Sequence, residues 1–221
     1  MLFKNIMRKC SLLIIALIFL QVNFGFAQVD KKANAILAGV SAKYKSYKSI
    51  TVDFAYTLEN PAAKIKETQT GNLILSGAKY RLNIAGQEVI CDGKTTWTIM
   101  KEAKEVQVNS VDANEEGIKP AEIFTMYDKG FLIKFVNENN AGAKVLQNLE
   151  LTPTDKSKAF FKVKLSVDKA SKQLVKSIIF DKNGNRYTYA IKSFKANTPI
   201  SASTFSFDPK KYPGVELVDL R

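Results

Sequence analysis

Side chains able to do covalent or metal chemistry are scarce in this 221-residue chain. Histidine is absent, which excludes serine triads, cysteine–histidine dyads and imidazole-ligated zinc or haem. The two cysteines, Cys10 and Cys91, are too few for a four-thiolate zinc site or an iron–sulfur cluster. With no imidazole to activate it, Cys91 reads as a small buried hydrophobe on a strand. One carboxylate group remains: Asp112, Glu115 and Glu116, with Asp92 nearby in sequence. Paired carboxylates can hydrolyse glycosides, but in a polar turn solvation accounts for them. The expectation is a protein that is not an enzyme, with no metal and no cofactor.

The compartment follows from the amino terminus. Lys4, Arg8 and Lys9 precede an unbroken apolar run over residues 12–20, and Gly25 and Ala27 sit where signal peptidase prefers small residues. This pattern predicts a cleaved signal peptide over residues 1–27, with the cut after Ala27. The run is about half the ~20 residues needed to span a bilayer. Cys10 lies before it rather than after, so the chain itself is not expected to be lipidated. Residues 28–221 then form one exported domain, periplasmic where the cell has two membranes. Only Cys91 remains there, so no internal disulfide can form. Loss of three cations from a formal +12 leaves +9. Nearly all the remaining cations are lysines scattered along the chain, which argues against nucleic acid. A solvated lysine surface is the plain reading. Attraction to anionic lipid heads or to an acidic partner is the other.

Those few chemical groups must sit on a mostly β framework. Asp30 can cap a helix over residues 31–47, whose apolar stripe is Ile36, Leu37, Val40, Tyr44 and Tyr47. The period then falls to two: Ile50, Val52, Phe54, Tyr56 and Leu58 alternate with more polar neighbours. Similar alternation recurs at Leu73 and Leu75; Tyr80, Leu82 and Ile84; Val89 and Cys91; Trp97 and Ile99; Val106 and Val108. It continues at Val145, Leu149 and Leu151; Phe161, Val163, Leu165 and Val167; Ile178 and Phe180; and Tyr187, Tyr189 and Ile191. Asp92-Gly93 and Asn183-Gly184 mark hairpin turns. The pattern predicts about ten strands, antiparallel because the connections are too short for crossovers. Pro120 opens a short central helix whose face carries Ile123, Phe124 and Tyr127.

A long sheet with one apolar face must curl, pair or be covered. Two helical segments are little cover for a face so rich in aromatics. An ordinary packed core and a partly vacant hollow under the helices both fit, and alternation does not separate them.

Ordered motifs supply a further expectation. They are Ser49-Ile50-Thr51-Val52-Asp53-Phe54, Gly71-Asn72-Leu73-Ile74-Leu75, Lys79-Tyr80-Arg81 and Cys91-Asp92-Gly93-Lys94-Thr95-Thr96-Trp97. Later come Leu149-Glu150-Leu151-Thr152-Pro153, Asp181-Lys182-Asn183-Gly184-Asn185, Phe205-Ser206-Phe207 and Pro213-Gly214-Val215. Together they resemble the periplasmic LolA-type outer-membrane lipoprotein carriers across essentially the whole exported chain. The resemblance implies a strongly curved antiparallel sheet, a half-open β-barrel covered by helices, with the acyl chains of a lipoprotein inside. At ~0.8 kcal/mol per methylene, a chain of about fifteen gains on the order of 12 kcal/mol from such a site. It implies acylated lipoproteins as cargo, an ATP-driven inner-membrane extractor as donor, an acceptor at the outer membrane, and a monomer without nucleic acid. A lipid or glycolipid sensing module is the alternative on the same architecture. On this reading Phe54, Tyr56, Leu73, Leu75, Tyr80, Leu82, Trp97, Ile99, Phe161, Val163, Leu165, Phe180, Tyr187 and Tyr189 line the cavity. Ile123, Phe124 and Tyr127 form the lid. The family's Arg-Pro lid latch is replaced here by Ser76-Gly77-Ala78, and Arg81 occupies a different family position.

Overall fold

A computed structural model describes residues 30–111, 124, 125, 127 and 129–221. The predicted signal peptide with its cut after Ala27, the carboxylates Asp112, Glu115 and Glu116, Ile123, and most of the expected central helix lie outside the described residues.

Helix α1 spans Lys31–Lys45. The Asp30 side chain accepts from the Ala33 amide at 2.9 Å, satisfying one of the free N–H groups of the first turn. The helix buries Ala33, Leu37, Val40 and Tyr44 along one stripe. Eleven strands then follow: β1 (Ile50–Asn60), β2 (Ile65–Ser76), β3 (Lys79–Ile84), β4 (Gln87–Cys91), β5 (Thr95–Met100), β6 (Glu105–Ser110), β7 (Phe131–Ala141), β8 (Lys144–Pro153), β9 (Phe160–Asp168), β10 (Leu174–Asp181) and β11 (Arg186–Ala196). After two 3₁₀ turns at Ala202–Phe205 and Pro209–Lys211 comes β12 (Glu216–Asp219).

All twelve strands form one sheet in the order β12-β6-β5-β4-β3-β2-β1-β11-β10-β9-β8-β7. The sheet is curved and does not close, because its edges β12 and β7 are not paired to each other. Two strands were missed in the sequence. In β7 the inward residues Phe131, Ile133 and Phe135 alternate with Leu132 and Val136, so apolar residues on both faces hide the period. The four-residue β12 returns from a long connection and pairs parallel to β6, the exception to an otherwise antiparallel sheet.

The inner face carries the main core. Ile50, Val52 and Phe54, Leu73 and Leu75, Leu149 and Leu151, and Val163, Leu165 and Val167 pack under α1 and around Phe124 and Tyr127. Gly71 stands opposite Phe54, and a methyl group there would overlap the Phe54 ring. The missing side chain is what lets that ring lie flat across the strand.

Asp30 also ties α1 to the sheet edge, its second carboxylate oxygen accepting from the Phe135 amide at 2.7 Å. Lys32 lies 3.6 Å over the Phe135 ring and 3.4 Å from Glu138. Glu138 accepts from Lys169 at 2.9 Å and from the Gln147 amide group at 3.0 Å.

Candidate functional site

A cavity of about 230 Å³ opens inside the curve of the sheet. Its walls come from strands far apart in sequence: Phe54 on β1, Leu73 on β2, Leu82 and Ile84 on β3, Leu174, Ser177 and Ile179 on β10, and Tyr189 and Ile191 on β11, with Phe124 and Tyr127 completing the lining. Two bulges aim them. Val175 is the extra residue between Leu174 and Lys176 of β10, so Leu174 shares the inner face with Ser177 and Ile179. Lys192 is the extra residue of β11 opposite Asp53 and Phe54, which places Ile191 beside Phe54.

None of the eleven lining side chains carries a charge at neutral pH. Tyr127 is buried, and its phenol shares one hydrogen bond with the Ser177 hydroxyl at 3.3 Å. Burial pushes the Tyr127 phenol up, and burial together with the nearby Tyr56 phenol pushes Tyr189 up to about 12. Neither is a usable acid or base near neutrality. Such a surface suits hydrocarbon. Phe124 is itself held, its ring stacked on buried Tyr44 with centroids 4.4 Å apart. The Tyr44 hydroxyl accepts from the Leu174 amide at 3.1 Å. On its other side Phe124 lines a second hollow of about 220 Å³ that reaches Lys48 and Ser49.

The structure brings together part of the predicted set. Phe54, Leu73, Leu82 and Tyr189 line the cavity, as do Phe124 and Tyr127. Tyr56, Leu75, Tyr80, Val163, Leu165 and Tyr187 lie on the same inner face within the core around it. Four residues are elsewhere. Trp97 and Ile99 pair in register with Ile90 and Glu88, which stand opposite Arg81 and Asn83 on the outer face. There Ile90, Ile99 and Val106 form a second core with Trp97, Phe207, Tyr212 and Val215. Phe161 is the bulged residue between Phe160 and Lys162, so Phe160 turns inward and Phe161 stands 48% exposed outside. Phe180 pairs with Lys162 and joins Phe161 on the outer face, ring centroids 6.3 Å apart. Five lining residues were not predicted: Ile84, Leu174, Ser177, Ile179 and Ile191. The alternation contains Ile84 and Ile191, whereas the apolar run Ile178-Ile179-Phe180 hides which of its residues points inward.

Arg81 lies on the outer face, where its Nε donates to buried Glu88 at 2.6 Å. Tyr212 donates to the other Glu88 oxygen at 2.9 Å, and an Arg81 amino group donates to the Thr204 carbonyl at 3.3 Å. This network straps the carboxy-terminal segment to the sheet. Cys91 is buried, its thiol pushed up by that burial. Asp92 shapes its turn by accepting from the Lys94 and Thr95 amides, both at 2.8 Å.

The family model for the outer membrane lipoprotein carrier protein LolA matches residues 45–208. The chain belongs to the LolA family. That match runs from the end of α1 through all the cavity-lining strands and into the strapped carboxy-terminal segment. An outer-membrane lipoprotein carrier protein of Xylella fastidiosa is 24% identical over 214 residues, covering 88% of this chain and 96% of that protein. The crystal structure of an uncharacterised conserved protein from Thermus thermophilus superposes with a TM-score of 0.56 at 13% identity. It covers 86% of this chain and 99% of the other, and shows the same fold. LprF from Mycobacterium bovis gives a TM-score of 0.47 at 12% identity, over 77% of this chain and 95% of its own. The family is one of periplasmic lipoprotein carriers, and no helix among the described residues is long and apolar enough to cross a membrane.

Proposed function

We propose that residues 28–221 form a periplasmic carrier that takes lipoproteins by their acyl chains from an ATP-driven extractor in the inner membrane and delivers them to the outer membrane. The observation that carries this reading is the uncharged hollow on the inner face of a sheet that packs a separate outer core only over β4–β6. A globular core of this size has no need of a 230 Å³ vacancy, since protein interiors otherwise pack as densely as organic crystals.

The hollow exceeds the ~150 Å³ that accepts a benzene ring and falls below the ~300–1,000 Å³ of sites for larger ligands. As it stands it takes part of one acyl chain. Phe124 and Tyr127 are the plug: moving Phe124 off Tyr44 joins the hollow to its neighbour and makes room for the rest. Ile123 precedes them in the same lid segment. With no Arg-Pro latch, the Tyr44 stack and the Tyr127–Ser177 contact hold the plug in this chain. Ligand occupancy must displace both, so loading and release become a shift between closed and open populations.

The test is to purify the untagged exported protein from its own envelope and identify bound lipid by mass spectrometry. Protein-linked acyl chains support the carrier; free glycolipid alone overturns it. Leu82→Trp fills the cavity from β3 and is expected to abolish cargo recovery while leaving a cooperative thermal transition.

A further inference from the structure

Two of the aromatics that the cavity leaves out share a patch with cations. On the outer face of β9, β10 and β11, Phe161 is 48% exposed and touches Phe180. Lys164 and Arg186 sit over the Phe180 ring, 5.7 and 5.8 Å from its centroid. Lys176 is exposed on the same face, two residues along β10 from Ile178, which stands opposite Lys164 in register. Two acids share this face and each has a second cation beside it: Glu150, opposite Lys164, lies 3.7 Å from Lys162, and Glu59, opposite Arg186, lies 3.7 Å from Lys66. Lys164, Lys176 and Arg186 are therefore a surplus of positive charge around exposed aromatic rings.

We propose that this face docks the protein on the anionic phospholipid headgroups of a bilayer surface. Aromatic rings favour the boundary between headgroup and acyl layers, and lysine and arginine stems let their charges reach phosphate from there. The patch is the face of a sheet without a groove, which suits a fluid surface that imposes no shape better than a folded protein partner. Its position fits a protein that handles acyl chains. Phe160, the inward neighbour of Phe161, stacks on Phe131 at 6.2 Å, and Phe131 meets the cavity-lining Tyr127 at 6.0 Å. Docking through Phe161 thus brings that end of the interior close to the bilayer.

The experiment is vesicle flotation of the delipidated exported protein, using phosphatidylcholine with and without phosphatidylglycerol, at low and high salt. Binding is expected only with phosphatidylglycerol and should fall with salt. Each cation removed is expected to weaken it about five-fold. Lys164→Gln, Lys176→Gln and Arg186→Gln together should then cost on the order of a hundredfold, and Phe161→Ser should weaken it further. Lys101→Gln with Lys104→Gln, on the distant β5–β6 turn, should leave it unchanged, as should the cavity-filling Leu82→Trp. The last variant separates this proposal from the carrier reading, because it loses cargo but keeps the surface. Each variant is first checked for an unaltered thermal transition. Wild-type protein that ignores phosphatidylglycerol, a triple variant that binds like wild type, or a control pair that loses as much overturns the proposal. So does a patch needed only for capture of an acidic protein.

Discussion

Arg81 shows how much one side chain can hold when its partner is a buried carboxylate. Glu88 is buried, and its carboxylate receives Arg81 on one oxygen and Tyr212 on the other. Removing the guanidinium strands a buried charge, which costs about 3–5 kcal/mol, whereas the intact pair adds little over an apolar substitute of the same shape. Arg81→Ala is therefore expected to lower the unfolding free energy by about that amount in urea titration. Arg81→Met with Glu88→Leu should recover most of it. Cargo binding should change less than stability, because Arg81 faces away from the cavity. The motif Lys79-Tyr80-Arg81 was legible as a landmark, but the carboxylate waiting seven residues later was not. Only the β3–β4 pairing makes these two neighbours, and the turn that sets it, Ala85-Gly86, has both residues at positive φ.

At the scale of elements, α1 is fastened to the edge strand β7 by carboxylates that titrate in acid. Side-chain hydrogen bonds from Gln147 and Lys169 pull Glu138 down to about 2 from an ordinary 4.5. The Ala33 and Phe135 amides hold Asp30 below its ordinary value as well. A carboxylate lowered in the folded state adds stability above its unfolded pKa and loses it as pH falls through the folded value. The stabilising effect of Glu138 should thus be complete above about pH 5 and decline from there towards pH 2. Wild-type Tm is expected to drop across that window, and Glu138→Gln should flatten the drop while lowering Tm at neutral pH. Scanning calorimetry at successive pH values reads both. Capping of α1 by Asp30 was evident from residue order. Its second bond, to an amide more than a hundred positions away, could not be, because β7 itself was hidden by apolar residues on both of its faces.

Among the described residues the cavity lining holds no charged side chain, and the sole tryptophan lies outside it. With Tyr189 up at about 12 and Tyr127 raised too, no described residue lining the hollow titrates between pH 5 and 9. Affinity for a fluorescent fatty-acid probe is accordingly expected to stay level over that range, by titration at fixed ionic strength. Trp97 stacks on Phe207 in the outer core, centroids 6.1 Å apart. Its emission should not shift when the cavity fills, and a brominated acyl chain should not quench it. Strong quenching would put the ligand on the opposite face of the sheet from the one described here.

Composition and period alone determined the absence of imidazole chemistry, the export signal to be expected, the opening helix, most strands, and the aromatic character of one sheet face. The ordered motifs pointed to the family. Tertiary structure decided which face each strand buries. Alternation reports that a strand has an apolar side but carries no sign, so Trp97 and Ile99 looked like Leu82 until their pairing with Ile90 and Glu88 turned them outward. One bulged residue reverses the sign within a strand, as it does between Phe160 and Phe161. The vacancy itself belongs to the same level, for a hollow is a property of the spaces between side chains from β1, β2, β3, β10 and β11, and no local stretch of chain contains one.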